Sequence, residues 1–261
     1  MIDTHCHLTF PDFEGRVEES LRLARQHGVT GAITISTTTA NARDALAVAR
    51  RFPNVWSSAG VHPLYASEGP FRWQDLDDVI RDPKCVAWGE LGLDNHYSDP
   101  PRAQQDAVLS EQLAYIESIT KAGVVKPVVI HCREAFEDLL PILRSSALDP
   151  SRMVFHCFTG TVQEARRVLD LGAWISFTGV VTYRNAAEVQ EAARLVPLDR
   201  IMVETDAPFL SPDPHRGKRP CEPWMSSVTA RRIAELRGLD WESFHAAIND
   251  NTRRFFGIDV P

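Results

Sequence analysis

Eight short runs of apolar and β-branched residues recur along this chain, and longer stretches with helical spacing separate them. The runs are Ile2 to His5, Gly31 to Ser36, Val55 to Ala59, Cys85 to Glu90, Val128 to His131, Met153 to His156, Ala173 to Phe177 and Ile201 to Glu204. Between them, Glu14 to His27, Thr39 to Arg51, Trp73 to Arg81, Arg102 to Ala122, Glu134 to Ser145, Val162 to Leu171 and Asn185 to Leu195 carry charged and apolar residues at helical spacing. Two further helices are expected after the last run, over Trp224 to Arg237 and Trp241 to Phe255. Strict alternation with short connections demands parallel strands joined by right-handed crossovers, the one hand in which a twisted strand and its helix pack back onto the sheet. Eight such units predict closure into a (β/α)8 TIM barrel, with a doubly wound open sheet as the competing arrangement.

The length of 261 residues suits one such barrel, and no repeat, low-complexity tract or Gly/Ser linker divides it, so a single domain over 1–261 is expected. No apolar run approaches the roughly 18 residues that cross a bilayer, and the polar opening Met1-Ile2-Asp3-Thr4-His5 lacks the apolar segment of an export signal. Five cysteines, an odd number without a C-x-x-C pair, suit a reducing compartment; the expectation is a cytoplasmic protein with no membrane association and no obligate protein partner. A net charge of −7 argues against a basic coat for nucleic acid. It leaves open an enzyme acting on nucleic acid, because bound divalent cations reverse the local charge at a site.

His5 and His7 stand two apart at the end of the first run, so both imidazoles fall on one side of a strand. Glu90 ends the fourth run, His131 the fifth and His156 the sixth, while Asp206 follows the eighth by two residues. In a parallel barrel all strand C-termini meet on one face, which gathers these six around one axis. Buried polar groups must be paired or bind metal, so the set predicts a centre for two divalent cations of the kind imidazoles favour, such as zinc or manganese, with Glu90 as the bridge. Asp206 is expected to double as general base. Lys126, at an odd offset from His131, should point away from the axis, and Glu204, deeper than Asp206 with the same parity, should orient a ligand. Alternation turns Cys6, Cys132 and Cys157 towards the helices.

His62, in Gly60-Val61-His62-Pro63, belongs to the same face, where a structural role and a substrate contact that helps a leaving group depart are both open. Arg133, Arg216, Lys218 and Arg219 form a basic fringe that suits an anionic substrate such as a phosphate. Tyr97, Phe158, Tyr183 and Trp224 are aromatic residues near the mouth for which base stacking and core packing are both open. His27, His96, His215 and His245 have no partner that the sequence names.

Ordered motifs tie these residues together: Asp3-Thr4-His5-Cys6-His7-Leu8, Gly60-Val61-His62-Pro63, Gly89-Glu90-Leu91-Gly92-Leu93-Asp94, Ile130-His131-Cys132-Arg133-Glu134-Ala135, His156-Cys157-Phe158-Thr159-Gly160 and Glu204-Thr205-Asp206-Ala207-Pro208-Phe209-Leu210. With His215-Arg216-Gly217-Lys218-Arg219 they span nearly the whole chain, which resembles the TatD family of metal-dependent deoxyribonucleases among the amidohydrolase-like barrels. The resemblance implies an exonuclease acting on DNA, with His5, His7, Glu90 and Asp206 at one metal and Glu90, His131 and His156 at the other. Magnesium-supported activity is also implied, whereas the imidazole-rich ligand set favours zinc, manganese, nickel or cobalt. The chain departs from the family at Arg219-Pro220-Cys221-Glu222-Pro223 and at Asn95-His96-Tyr97, where substrate contacts are expected to differ. Two rival readings stand beside it: a hydrolase of a small ester, amide or phosphotriester, and a non-catalytic scaffold that binds metal or nucleic acid.

Overall fold

In a computed structural model, which describes residues 1–260, the eight runs form parallel strands paired in sequence order. They are β1 (Ile2–Cys6), β2 (Gly31–Thr34), β3 (Val55–Ala59), β4 (Cys85–Asp94), β5 (Val128–Arg133), β6 (Met153–Phe155), β7 (Trp174–Phe177) and β8 (Ile201–Val203). Between β8 and β1 the ladder is sparse, with one bridge from Cys6 to Ala207 and backbone bonds from His7 N to Ala207 O (2.7 Å) and Asp206 N to His5 O (2.9 Å). This order closes the ring and rules out the open, doubly wound sheet, whose strand order reverses.

The helices are α1 (Val17–Gln26), α2 (Thr39–Arg51), α3 (Asp77–Arg81), α4 (Arg102–Lys121), α5 (Phe136–Ser145), α6 (Val162–Leu171), α7 (Ala187–Leu195), α8 (Ser226–Arg237) and α9 (Trp241–Phe256). Several begin two or three residues later than the periodicity suggests. Trp73–Leu76 and Pro223–Met225 form tight 3-10 turns ahead of α3 and α8. Local chemistry sets clear boundaries elsewhere: Thr161 and Glu164 form a reciprocal capping box at the start of α6, and Gly172, at φ 98°, ends it. No helix among the described residues is long and apolar enough to cross a membrane.

Two apolar layers follow from strand alternation. Trp88, Leu91, Ile130 and Phe155 belong to the layer between strands and helices, whereas Ile33, Val129, Val154 and Met202 fill the barrel's interior. Phe255 and Phe256, at the end of α9, pack with Ile2 and Trp174, the first residues of β1 and β7, and so floor the barrel at its N-terminal end. The open end is therefore the C-terminal one.

β4 breaks the alternation where it matters. Trp88 pairs with Val128 and Leu91 with Ile130, so three steps on β4 face two on β5, the signature of a bulge at Gly89–Glu90. Trp88 and Glu90 are two apart yet lie on opposite faces, because the bulge reverses the parity. Beyond it Glu90, Gly92 and Asp94 face the interior while Leu91 and Leu93 face the helices. Gly89 holds φ 117°, and a Cβ there would come within 2.6 Å of the Val129 carbonyl oxygen. The strand thus does not end at Glu90, as the apolar run suggests, but continues to Asp94.

Candidate metal centre

Glu90, 1% exposed, stands at the hub, and its two oxygens face different partners. Oε2 is 3.2 Å from His5 Nε2 and 4.0 Å from His7 Nε2. Oε1 is 2.6 Å from His156 Nε2, 2.7 Å from His131 Nδ1 and 3.3 Å from His62 Nε2. Asp206 completes the first group, its Oδ1 lying 3.3 Å from His7 Nε2 and 3.6 Å from His5 Nε2. All six residues singled out as ligands are brought together, although His7, His156 and Asp206 lie just past their strands rather than within them.

At four of the five imidazoles the far nitrogen decides what the near one can do; at His5 the far nitrogen, Nδ1, is buried without a hydrogen-bond partner. His7 Nδ1 donates to the Ile35 carbonyl (3.2 Å), which only accepts, so Nε2 presents a lone pair to the centre. His156 Nδ1 faces Glu204 Oε1 (3.2 Å) and His131 Nε2 faces Asp94 Oδ2 (2.9 Å), and both carboxylates fix the tautomer that aims a lone pair inwards. His62 is the exception. Its Nδ1 accepts from Leu64 N (3.0 Å), so the neutral ring carries its proton on Nε2 and offers the centre a donor.

The residues fit divalent cations. His5 Nε2 and Glu90 Oε2 are buried and form no hydrogen bond, a costly state unless something else satisfies them. Donors about 2.1 Å from one ion at tetrahedral angles stand about 3.4 Å apart, close to the separations on the His5, His7 and Asp206 side. His5, His156 and Glu204 also cluster, but Glu204 is accounted for without an ion: Oε1 accepts from Cys157 N (2.7 Å) and Oε2 from Ser176 Oγ (2.6 Å). It holds His156, as its parity suggested.

Charge within the cluster is strongly biased. Burial pushes the Glu90 carboxyl up, but His156, His62, His5 and His131 together hold it well below the ordinary carboxylate range. Asp206 is likewise lowered, with burial outweighed by His7, His5 and His156. Burial lowers His5, helped by the neighbouring His156, and brings His62 down to about 4. His131 and His156 go the other way: burial opposes protonation, but Asp94 and Glu90 raise the first, and Glu90 and Glu204 raise the second well above the imidazole range.

Above the centre opens a cavity of about 750 Å³. All four non-glycine residues with positive φ among the described residues, Glu134 (54°), Cys157 (44°), Asp206 (59°) and Leu210 (57°), line it. Strained backbone of this kind collects at functional sites. The turn at Cys157 corrects one expectation: directly after His156 the chain leaves the strand, and the thiol faces the cavity rather than the helices. Cys132 also borders the cavity, while Cys6 is fully buried. Lys126 lies outside the site, its Nζ donating to the carbonyls of Asp82 and Cys85.

Arg133 and His62 line the cavity, but Arg216 and Lys218 do not. The Arg216 guanidinium lies over the Tyr183 ring, 4.0 Å from its centroid, and Lys218 Nζ sits 3.4 Å from His215 Nδ1. Arg219 is bound by both oxygens of Asp12. The basic fringe is thus mostly committed to the surface. Phe158 is core, and Trp224 packs between His27 and His215. Asp94 was not singled out from sequence, although it shares parity with Glu90; ending the strand at Glu90 hid it.

An eight-stranded parallel barrel with imidazoles and carboxylates converging at its C-terminal mouth defines the class: a metal-dependent hydrolase. Residues 2–257 match the family model described as TatD related DNase. The chain is 38% identical to the uncharacterized metal-dependent hydrolase YcfH of Escherichia coli (strain K12), over all of this chain and 97% of that protein. It is 34% identical to the 3'-5' ssDNA/RNA exonuclease TatD of Klebsiella pneumoniae (strain 342), over all of this chain and 99% of that protein. The crystal structure of YJJV, a TatD homolog from Escherichia coli K12, superimposes with a TM-score of 0.91 at 31% identity, covering 99% of this chain and 98% of that one. The chain belongs to the TatD family of metal-dependent hydrolases.

Proposed function

We propose that this protein is a deoxyribonuclease that removes nucleotides from single-stranded DNA ends, with two divalent cations held in one centre. The observation that carries the reading is the division of Glu90: one oxygen faces His5 and His7, the other His131 and His156. His5, His7, Asp206 and Glu90 would hold one cation, and His131, His156 and Glu90 the other. Zinc or manganese suits so many imidazoles, and magnesium is the third candidate. When bound, such cations supply Lewis acidity and neutralise charge on a phosphoryl group. The TatD exonuclease named above, which aligns over nearly its full length, supports the choice of single-stranded DNA.

The chain's own residues divide the remaining work. Asp206 is 16% exposed against 1% for Glu90, so it is the carboxylate of the centre that an attacking water can reach, and it accepts the water's proton. The water oxygen bonds to phosphorus as the bond from phosphorus to the leaving sugar oxygen breaks, and Asp206 then returns the proton to that oxygen. His62 offers its Nε2–H to the charge that builds there. Arg133 is the one lysine or arginine lining the cavity, and its guanidinium has no hydrogen-bond or ion-pair partner among the described residues, so it can take a phosphate oxygen. The barrel acts as one unit over 1–261 without an obligate protein partner. Five unpaired cysteines, four of them buried, suit the cytoplasm.

Metal analysis of the purified protein, followed by digestion of end-labelled single-stranded DNA beside a lactone and amide panel, tests the reading. Release of nucleotides from one end, lost on chelation and lost in Asp206→Ala, is expected. Turnover of lactones or amides with intact DNA would assign the centre to small-molecule hydrolysis instead. DNA binding with no turnover of any substrate would assign it to a scaffold.

A further inference from the structure

Three large hydrophobic side chains are exposed among the described residues, Tyr97 (49%), Val125 (50%) and Phe209 (36%), and two of them line the cavity. Tyr97 follows β4 and Phe209 follows β8, so in a ring of eight strands they occupy opposite rims with Glu90 between them. Each ring has one face covered by a guanidinium, Arg133 at 5.1 Å from the Tyr97 centroid and Arg219 at 4.8 Å from that of Phe209. A cation on one face polarises the ring, and a flat partner would take the opposite face, beside the edge-on neighbours His96 (4.8 Å from Tyr97) and Phe10 (6.0 Å from Phe209).

Both rings are anchored to the reacting centre. Tyr97 N donates to Asp94 Oδ1 (3.2 Å), and Asp94 is the carboxylate that holds His131. Phe209 N donates to the carbonyl of Asp206 (2.9 Å), while its ring meets Phe10, which stacks on His7 at 4.7 Å. A π-face tolerates any nucleobase, and both rings stand at the rim of the cavity that holds the centre. The two backing cations differ: Arg219 is bound to Asp12, but Arg133 has no such partner and is free to meet a phosphate.

We propose that Tyr97 and Phe209 are paired nucleobase platforms on opposite sides of the scissile phosphodiester, so that the site takes a single strand splayed across its mouth with one base on each ring. The inference rests on the phosphodiesterase reading above and specifies its substrate. A duplex end, whose bases are stacked and paired with each other, cannot occupy both rings until it is unpaired. The minimal substrate is therefore a dinucleotide unit carrying both bases.

The test crosses protein variants with base deletions, using the metal-loaded full chain and single-stranded oligonucleotides in which either nucleotide flanking the terminal linkage is abasic. For the wild type, deleting either base should raise KM about tenfold, as should Tyr97→Ala or Phe209→Ala on the intact strand. Deleting a ring together with its own base should cost no more than either loss alone, the mark of a direct partnership. Tyr97→Phe should restore the wild-type KM, and Val125→Ala, away from the mouth, should behave as wild type throughout. Quenching of 2-aminopurine placed at either position should weaken only in the variant lacking its platform. Wild-type cleavage of abasic and intact strands with equal KM, or ring and base losses that multiply, would overturn the platforms while leaving the nuclease reading intact. No cleavage of any strand by the metal-loaded wild type would overturn both.

Discussion

Replacing Asp94 by asparagine probes how the centre is held without removing any ligand. Asp94 accepts three hydrogen bonds, from His131 Nε2 (2.9 Å), His96 N (3.0 Å) and Tyr97 N (3.2 Å). In Asp94→Asn the amide oxygen keeps both backbone donors, but an NH2 group now faces His131 Nε2. To keep that bond, His131 must move its proton to Nδ1, which stands 2.7 Å from Glu90 Oε1 and would no longer offer a lone pair to a cation. The alternative is to break a hydrogen bond to a charged group, worth about 1.5–3 kcal/mol. Either route lowers affinity at the site of His131 and His156 about 10- to 100-fold, the usual range for a carboxylate behind a metal-bound histidine. Affinity on the His5 and His7 side should change far less.

The same variant carries a pH signature in the metal-free protein. His131 is raised in the folded state, against burial, by Asp94 and Glu90. A raised imidazole gives stability that is fully present below the unfolded value of about 6.5 and is lost as pH rises through the folded-state value. Removing the Asp94 charge should reduce that loss. Calorimetric metal titrations at fixed pH, with melting curves in chelator across pH 5 to 9, read both effects. Wild-type affinity at both sites would refute the proposed tautomer control, and a fall in chelated stability large enough to account for the affinity loss would assign Asp94 a purely structural role.

Glu204→Gln should act on His156 in the same way, with a further destabilisation of about 1–3 kcal/mol because Glu204 also accepts from Cys157 N and Ser176 Oγ in a buried setting; chemical denaturation in chelator checks it. Chelation should abolish hydrolysis and lower stability by about 2.7 kcal/mol relative to cation at a hundred times its Kd, with manganese or magnesium restoring both in activity and melting assays. Gly92→Ala should destabilise the fold by about 3 kcal/mol in urea titrations, since Gly92 holds φ 151° and an added Cβ would overlap the carbonyl oxygen of His131 on the neighbouring strand.

The barrel and the six converging residues were legible because periodicity encodes strands and helices, and parallel order alone sends every strand end to one face. What stayed hidden depends on departures from periodicity. The bulge at Gly89–Glu90 leaves no trace in an apolar pattern: simple alternation would put Trp88 on the face of Glu90, and the expected strand stops short of Asp94. The left-handed turn at Cys157 likewise defeats alternation and brings a thiol to the cavity. Sequence shows the charges of Arg216 and Lys218 but not the Tyr183 and His215 side chains they lie against, outside the lining of the cavity. Phe209 attracted no notice in a proline-flanked loop, since exposure is a property of the folded surface.

The sparse join between the first and last strands has a mechanical meaning. His5 and His7 belong to one end of the ladder and Asp206 to the other, and few backbone bonds cross between them. An ion gripped by all three would be a clasp on a hoop: it would fasten the place where the chain's two ends meet, and emptying it would let that seam breathe before any other stave of the barrel.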